Sequence, residues 1–193
     1  MDKEKVIAFF DSLAEKWDGM QVRNEHILEA VLDFAGVFKG AEVLDVACGT
    51  GVLFPDYFKR GVKSITGIDI SPGMLALAGE KFPDAKLICA DAEEYDFEES
   101  YDVIMIYNAF PHFSNPERLF ENLTRALKEG GRLTVAHGIS RQEVEKCHSS
   151  VREGVSSALP CAEKTAEIMS PFLDTDVIVS DERMYVVSGV KKK

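Results

Sequence analysis

The sequence predicts an α/β protein built on one doubly wound, mostly parallel sheet of seven strands that ends in an antiparallel hairpin. Three observations carry this. From residue 41 onward, short apolar runs alternate with longer amphipathic stretches, the pattern of strands joined by crossover helices. The runs are nearly continuous in apolar residues, as in Val103-Ile104-Met105-Ile106, which suits strands covered on both faces. The last two runs are separated only by Asp181, Glu182 and Arg183, too little chain for a crossover helix, so they should pair antiparallel.

Each element follows from local pattern. Residues 3 to 17 and 23 to 37 read as helices that precede the first strand and cover the sheet's upper edge and cleft. In the first of them Phe9, Phe10, Leu13 and Trp17 recur at helical spacing on one apolar face. Strands are expected at Glu42–Ala47, Ser64–Ile70, Ala85–Ala90, Tyr101–Tyr107, Arg132–His137, Asp176–Ser180 and Met184–Val190. Pro55 suits the first turn of a helix after the first strand. Ser71-Pro72 supplies a cap and a first-turn proline, and Met74, Leu75, Leu77 and Ala78 follow at helical spacing. Asn115-Pro116 opens a further helix with Leu119, Phe120, Leu123, Ala126 and Leu127 on one face, ended by Gly130-Gly131. The whole is one Rossmann-like domain: a helical lid over 1–37, a ligand-binding core over 41–137, and helices with the terminal hairpin over 138–193.

Composition narrows the function. The chain has 193 residues, 46% hydrophobic and 28% charged, with a formal net charge of −11. A membrane-crossing helix needs about 20 apolar residues in a row, and no run approaches that. The N-terminus, Met1-Asp2-Lys3-Glu4-Lys5, lacks a signal-peptide apolar region, so a cytoplasmic location is expected. Acidity argues against a nucleic-acid partner, because gripping a phosphate backbone takes a basic face, and Lys191-Lys192-Lys193 is a solvated end. Four cysteines, at 48, 89, 147 and 161, form no CxxC pair, and a cytosolic setting keeps them reduced.

The most informative segment is Val43-Leu44-Asp45-Val46-Ala47-Cys48-Gly49-Thr50-Gly51-Val52-Leu53. A buried strand runs into a glycine turn and then a helix, so backbone N–H groups face whatever binds there. Asp69 and Asp91 end the next two strands, and in a parallel sheet the carboxyl ends of strands line the ligand crevice. A carboxylate after strand two suits the hydroxyls of an adenosine ribose, and one after strand three can read the adenine amino edge. A dinucleotide oxidoreductase shares the spacing, since Gly49 and Asp69 are twenty residues apart. Its third loop glycine, however, would fall at Phe54, and Asp45 would repel a diphosphate while suiting a cation. A protein that binds such a nucleoside without catalysis is the remaining alternative.

These residues resemble the class I S-adenosylmethionine-dependent methyltransferases. Asp45-Val46-Ala47-Cys48-Gly49-Thr50-Gly51 is similar to their first motif, Ile68-Asp69-Ile70-Ser71-Pro72-Gly73-Met74 to the second, Ala90-Asp91-Ala92 to the third and Tyr101-Asp102-Val103-Ile104 to the fourth. Lys128-Glu129-Gly130-Gly131-Arg132-Leu133 resembles the turn before strand five, and Phe9 to Asp18 resembles the leading helix of the small-molecule, ubiquinone/menaquinone-type branch. The resemblance implies S-adenosylmethionine as cofactor and methyl transfer to a small molecule. It implies that Gly49 and Gly51 line the methionine portion and sugar, with Ala47, Cys48 and Asn108 also among the cofactor contacts. Asp69 would hold the ribose hydroxyls, Ile70 and Met74 would sandwich the adenine, Asp91 and Ala92 would meet its edge, and Asp45 would orient the loop or the ammonium.

Methyl transfer asks little of the protein beyond alignment, and a base only when the acceptor carries a proton. The segment after strand four, Tyr107-Asn108-Ala109-Phe110-Pro111-His112-Phe113, should face the methyl group. It lacks the Asn/Asp-Pro-Pro-Tyr run of amino-methylating nucleic-acid enzymes. His112 is the first candidate base and His137, at the end of strand five, the second. Phe110 and Phe113 are expected to wall the acceptor pocket, with Phe10 and Trp17 closing it from the lid. His112, His137, His148 and a cysteine match no compact metal-ligand spacing, so no metal is expected. Arsenite capture by three thiols, found in one methyltransferase branch, is disfavoured because Cys48 lies in the loop and Cys89 in a strand.

Overall fold

In the computed structural model, residues 1–148 and 154–193 are described, except for the side chain of His148. Seven strands form one sheet: β1 (Glu42–Val46), β2 (Ser64–Asp69), β3 (Lys86–Cys89), β4 (Tyr101–Tyr107), β5 (Leu127–His137), β6 (Leu173–Ser180) and β7 (Tyr185–Lys191). Their order is β3-β2-β1-β4-β5-β7-β6. The first five are parallel, and β7 runs antiparallel between β5 and β6. The strand order therefore reverses between the neighbours β1 and β4, the switch point where ligands bind in such sheets.

Alternation along the strands divides the core into two layers. Val43, Ile65, Val103 and Met105 face α2 (Glu25–Phe34) and α3 (Phe54–Arg60). Leu44, Val46, Ile104, Ile106, Leu133 and Val135 face α5 (Pro116–Arg125) and α7 (Ala162–Met169). Helix α4 (Pro72–Lys81) is capped by Ser71, whose hydroxyl accepts the Met74 N–H at 3.1 Å. Helix α6 (Arg141–His148) follows β5.

Two expectations are corrected. The helix after Asn115 was expected to reach the Gly130-Gly131 pair, but α5 ends at Arg125 and the chain is already extended at Leu127, which pairs with Tyr101. The glycines lie inside β5, Gly130 at φ +72° where the register shifts, so they turn a strand instead of stopping a helix. The second N-terminal helix is no lid. Its Ile27, Leu28, Val31 and Leu32 are buried against Val43, Met105 and Val186, so only α1 (Lys3–Met20) and the turn after it reach the cleft.

Candidate active site

A cleft of about 980 Å³, open mouth included, lies between α1 and the carboxyl ends of β1, β2, β3 and β4. Its floor begins at the loop after β1. Ala47 sits at φ +55°, Gly49 at +55° and Gly51 at +80°, so the chain makes a tight left-handed passage. The Gly49 N–H turns inward and donates to Asp69 Oδ2 at 2.8 Å, while Ser71 N donates to Oδ1 at 2.8 Å. These bonds fix the Asp69 carboxylate at the end of β2, 9% exposed. Burial pushes its pKa up, opposed by the N–H donors of Ser71, Gly49 and Ile70.

Asp45 lies deeper, 3% exposed, one strand away. Burial pushes it up to about 8; the Tyr57 hydroxyl opposes the rise and the Asp69 carboxylate adds to it. A buried carboxyl in this state gains by taking a cationic partner. Ile68, Ile70, Met74 and Ala92 give the adjoining wall an apolar surface, and Asp91 stands at its end. A carboxyl that favours a cation, a fixed acid at the end of β2 and an apolar slot closed by a third acid form a set of acceptors that fits the ammonium, ribose and adenine of S-adenosylmethionine.

One wall of the cleft is aromatic. Trp17, Phe10, His112 and Phe113 all line it, Phe10 meeting Trp17 edge-on at 5.5 Å and His112 edge-on at 4.9 Å. His112 closes a short 3-10 turn (Phe110–His112) and places Nδ1 2.9 Å from the Val155 carbonyl oxygen. A carbonyl can only accept, so Nδ1 carries the proton in this bond. Asn108, at φ +55°, binds the Gly138 N–H through Oδ1 at 3.1 Å, and Tyr107 reaches the cleft beside it.

Of the residues expected from sequence, Asp45, Ala47, Cys48, Gly49, Asp69, Ile70, Met74, Asp91, Ala92, Asn108, Phe10, Trp17, His112 and Phe113 line this one cleft. Three others stand elsewhere. His137 ends β5 on the predicted edge, but strand alternation turns its ring into the core, 2% exposed and edge-on to Tyr185 at 5.8 Å. Phe110 is 2% exposed and stacked on Phe120 at 5.5 Å, so it supports the turn from beneath. Gly51 shapes the loop without lining it: a β-carbon there would lie 2.9 Å from the Phe82 ring. The His148 side chain lies outside the described residues.

Sequence reasoning missed the polar face of α1. Asp11 accepts from Ser71 Oγ at 2.5 Å and Gly73 N at 2.9 Å. Asp18 accepts from Thr50 Oγ1 at 2.5 Å and pairs with Lys81 at 2.7 Å. Lys3 pairs with Asp91 and, at 2.9 Å, with Glu93. The seven-residue spacing of Lys3, Phe10 and Trp17, repeated by Asp11 and Asp18, was the available signal, since it puts these residues along one side of the helix. Arg23, just beyond α1, fixes the following turn by donating to Asp56 at 2.9 Å and to the Val52 carbonyl at 2.8 Å.

Comparison with known proteins agrees with this geometry. Residues 44–135 match the family model described as a methyltransferase domain. The chain is 32% identical over 142 residues to a demethylmenaquinone methyltransferase of Renibacterium salmoninarum, covering 69% of this chain and 58% of that protein. It is 31% identical over 156 residues to a phosphatidylethanolamine N-methyltransferase of Cereibacter sphaeroides, covering 77% and 72%. Across the first two relatives, the chain spans 58% and 52% of their length. Among solved structures it resembles a chain from the complex between the Haloferax volcanii Trm112 methyltransferase activator and a methyltransferase. The TM-score is 0.80 at 20% identity, over 95% of this chain and 98% of that one, a likeness of fold. By sequence match, strand order and the acids at its strand ends, the chain belongs to the class I S-adenosylmethionine-dependent methyltransferases.

Proposed function

We propose that the chain binds S-adenosylmethionine beneath α1 and methylates a small acceptor with an apolar body, His112 taking the proton that the attacking atom gives up. The cofactor supplies an activated methyl group on a sulfonium centre. Asp45 takes the ammonium, Asp69 the ribose hydroxyls, and Ile70 and Met74 the faces of the adenine, with Asp91 at its edge. Helix α1 acts as the lid: Phe10 and Trp17 cover the acceptor end and exclude water from it.

The observation that carries the proposal is the fixed orientation of His112. The Val155 carbonyl holds the ring at Nδ1, and the ring stands in the cleft wall beside Phe10 and Phe113. A base so held is useful when the acceptor is a hydroxyl or a protonated amine. The aromatic walls favour a planar or aliphatic body over a charged one. The acceptor's identity is a separate matter, since one relative is named for a quinone precursor and another for a phospholipid headgroup.

The test is turnover with labelled S-adenosylmethionine against a panel of phenolic, quinol and amine acceptors, in the wild-type protein and in His112→Gln. The variant should be about 10²–10⁴-fold slower with cofactor affinity near wild type, and its pH–rate profile should lose one limb. A small, pH-independent loss would reduce His112 to shaping the pocket. Absence of turnover despite tight cofactor binding would favour a protein that only binds the cofactor.

A further inference from the structure

One fastening of α1 occupies a carboxylate that the proposed adenine contact needs. Lys3, on the first turn of α1, gathers three carboxylates around one ammonium: Asp91 Oδ2, Glu93 Oε2 at 2.9 Å and, more loosely, the exposed Glu94 Oε1 at 3.9 Å. The other oxygens of Asp91 and Glu93 are already used. Asp91 Oδ1 accepts the Glu93 N–H at 2.9 Å, and Glu93 Oε1 accepts the Asn115 N–H at 2.6 Å. Glu93 is 4% exposed, so its charge depends on Lys3 for neutralisation. Burial draws the Lys3 ammonium down, but the two carboxylates outweigh this and leave it raised, so it stays charged.

We propose that Lys3 is an ionic latch: its ammonium and the adenine amino group compete for Asp91 Oδ2, so cofactor binding requires the first turn of α1 to release. This rests on the cofactor reading given above. The lysine stem is long and its three donors rotate freely, so Lys3 can yield Asp91 while keeping Glu93 when α1 closes again. The remaining fastenings make the release concerted. Asp2 N donates to the Gly154 carbonyl at 3.1 Å, Asp11 holds the start of α4, and Asp18 holds the glycine loop through Thr50. The latch thereby lowers the fraction of molecules ready to accept the cofactor, and apparent affinity falls by that fraction.

The experiment compares wild type with Lys3→Met, Lys3→Gln and Lys3→Arg by calorimetry with S-adenosylhomocysteine and with adenosine, and by hydrogen exchange of the ligand-free proteins. Both neutral variants should bind both ligands about three- to tenfold more tightly than wild type, because the competing charge is gone. Amides of the first half of α1 should exchange faster in them without ligand. Lys3→Arg keeps the charge and should bind no more tightly than wild type. Equal or weaker binding by the neutral variants, with wild type binding normally, would overturn the latch alone. Absence of binding by every protein would overturn the cofactor reading and the competition with it.

Discussion

Replacing Asp45 by Asn tests the electrostatics at the centre of the cleft. Folding raises this carboxyl from an ordinary value of 3.8 to about 8, mainly through burial. For a group raised by folding, the stabilising contribution is complete below the unfolded value and is lost as pH climbs through the folded one. The folded protein thus holds one proton more than the unfolded chain between these limits, a slope of about 1.4 kcal/mol per pH unit. From about pH 5 to about pH 7, wild type should lose roughly 2–3 kcal/mol relative to Asp45→Asn, which has no proton to release. Urea denaturation of both ligand-free proteins along this pH series measures the difference directly. Titration with S-adenosylhomocysteine provides the second reading. Its ammonium pairs with the ionised carboxyl, so wild-type affinity should strengthen by at most about tenfold per pH unit on approaching pH 8. The variant should bind weakly and with a flatter pH response. Parallel stability curves would refute the reasoning, because they would mean that Asp45 is ionised in the folded protein.

Further expectations follow from the same geometry. Asp69→Ala should weaken S-adenosylhomocysteine binding by about 1.5–3 kcal/mol by calorimetry, the scale for hydrogen bonds to a charged group. An unchanged constant would place the ribose elsewhere. Gly138→Ala would set a β-carbon 2.2 Å from the Tyr107 hydroxyl oxygen, forcing Tyr107 toward the cleft. Its cost should be about 1–3 kcal/mol in denaturant, with a raised KM for the acceptor, and an unaltered KM would exclude Tyr107 from the acceptor wall. Protection of α1 amides against hydrogen exchange should rise on adding cofactor, whereas equal protection with and without it would mean that α1 is permanently packed.

Much of this was legible in the chain because it depends on local pattern. Strand periodicity and the short Asp181–Arg183 connection required a parallel sheet closed by an antiparallel hairpin. The glycine loop and the acids at 45, 69 and 91 fall on one edge because parallel strands all end on the same side. Periodicity does not say where a chain end will pack. It could not separate α1, which lies over the cleft, from α2, which lies in the core, since both are amphipathic and only the burial partners differ. Nor could it orient the histidines. His112 and His137 both follow strand ends, yet one ring faces the cleft because a 3-10 turn carries it outward, and the other faces Tyr185 because strand alternation carries it inward. The fastenings of α1 were decided by tertiary structure alone. Lys3 meets Asp91, Asp11 meets Ser71 and Asp18 meets Thr50 across 88, 60 and 32 residues of chain; the seven-residue spacing sets these side chains along one side of the helix, but only the folded sheet brings their partners within reach.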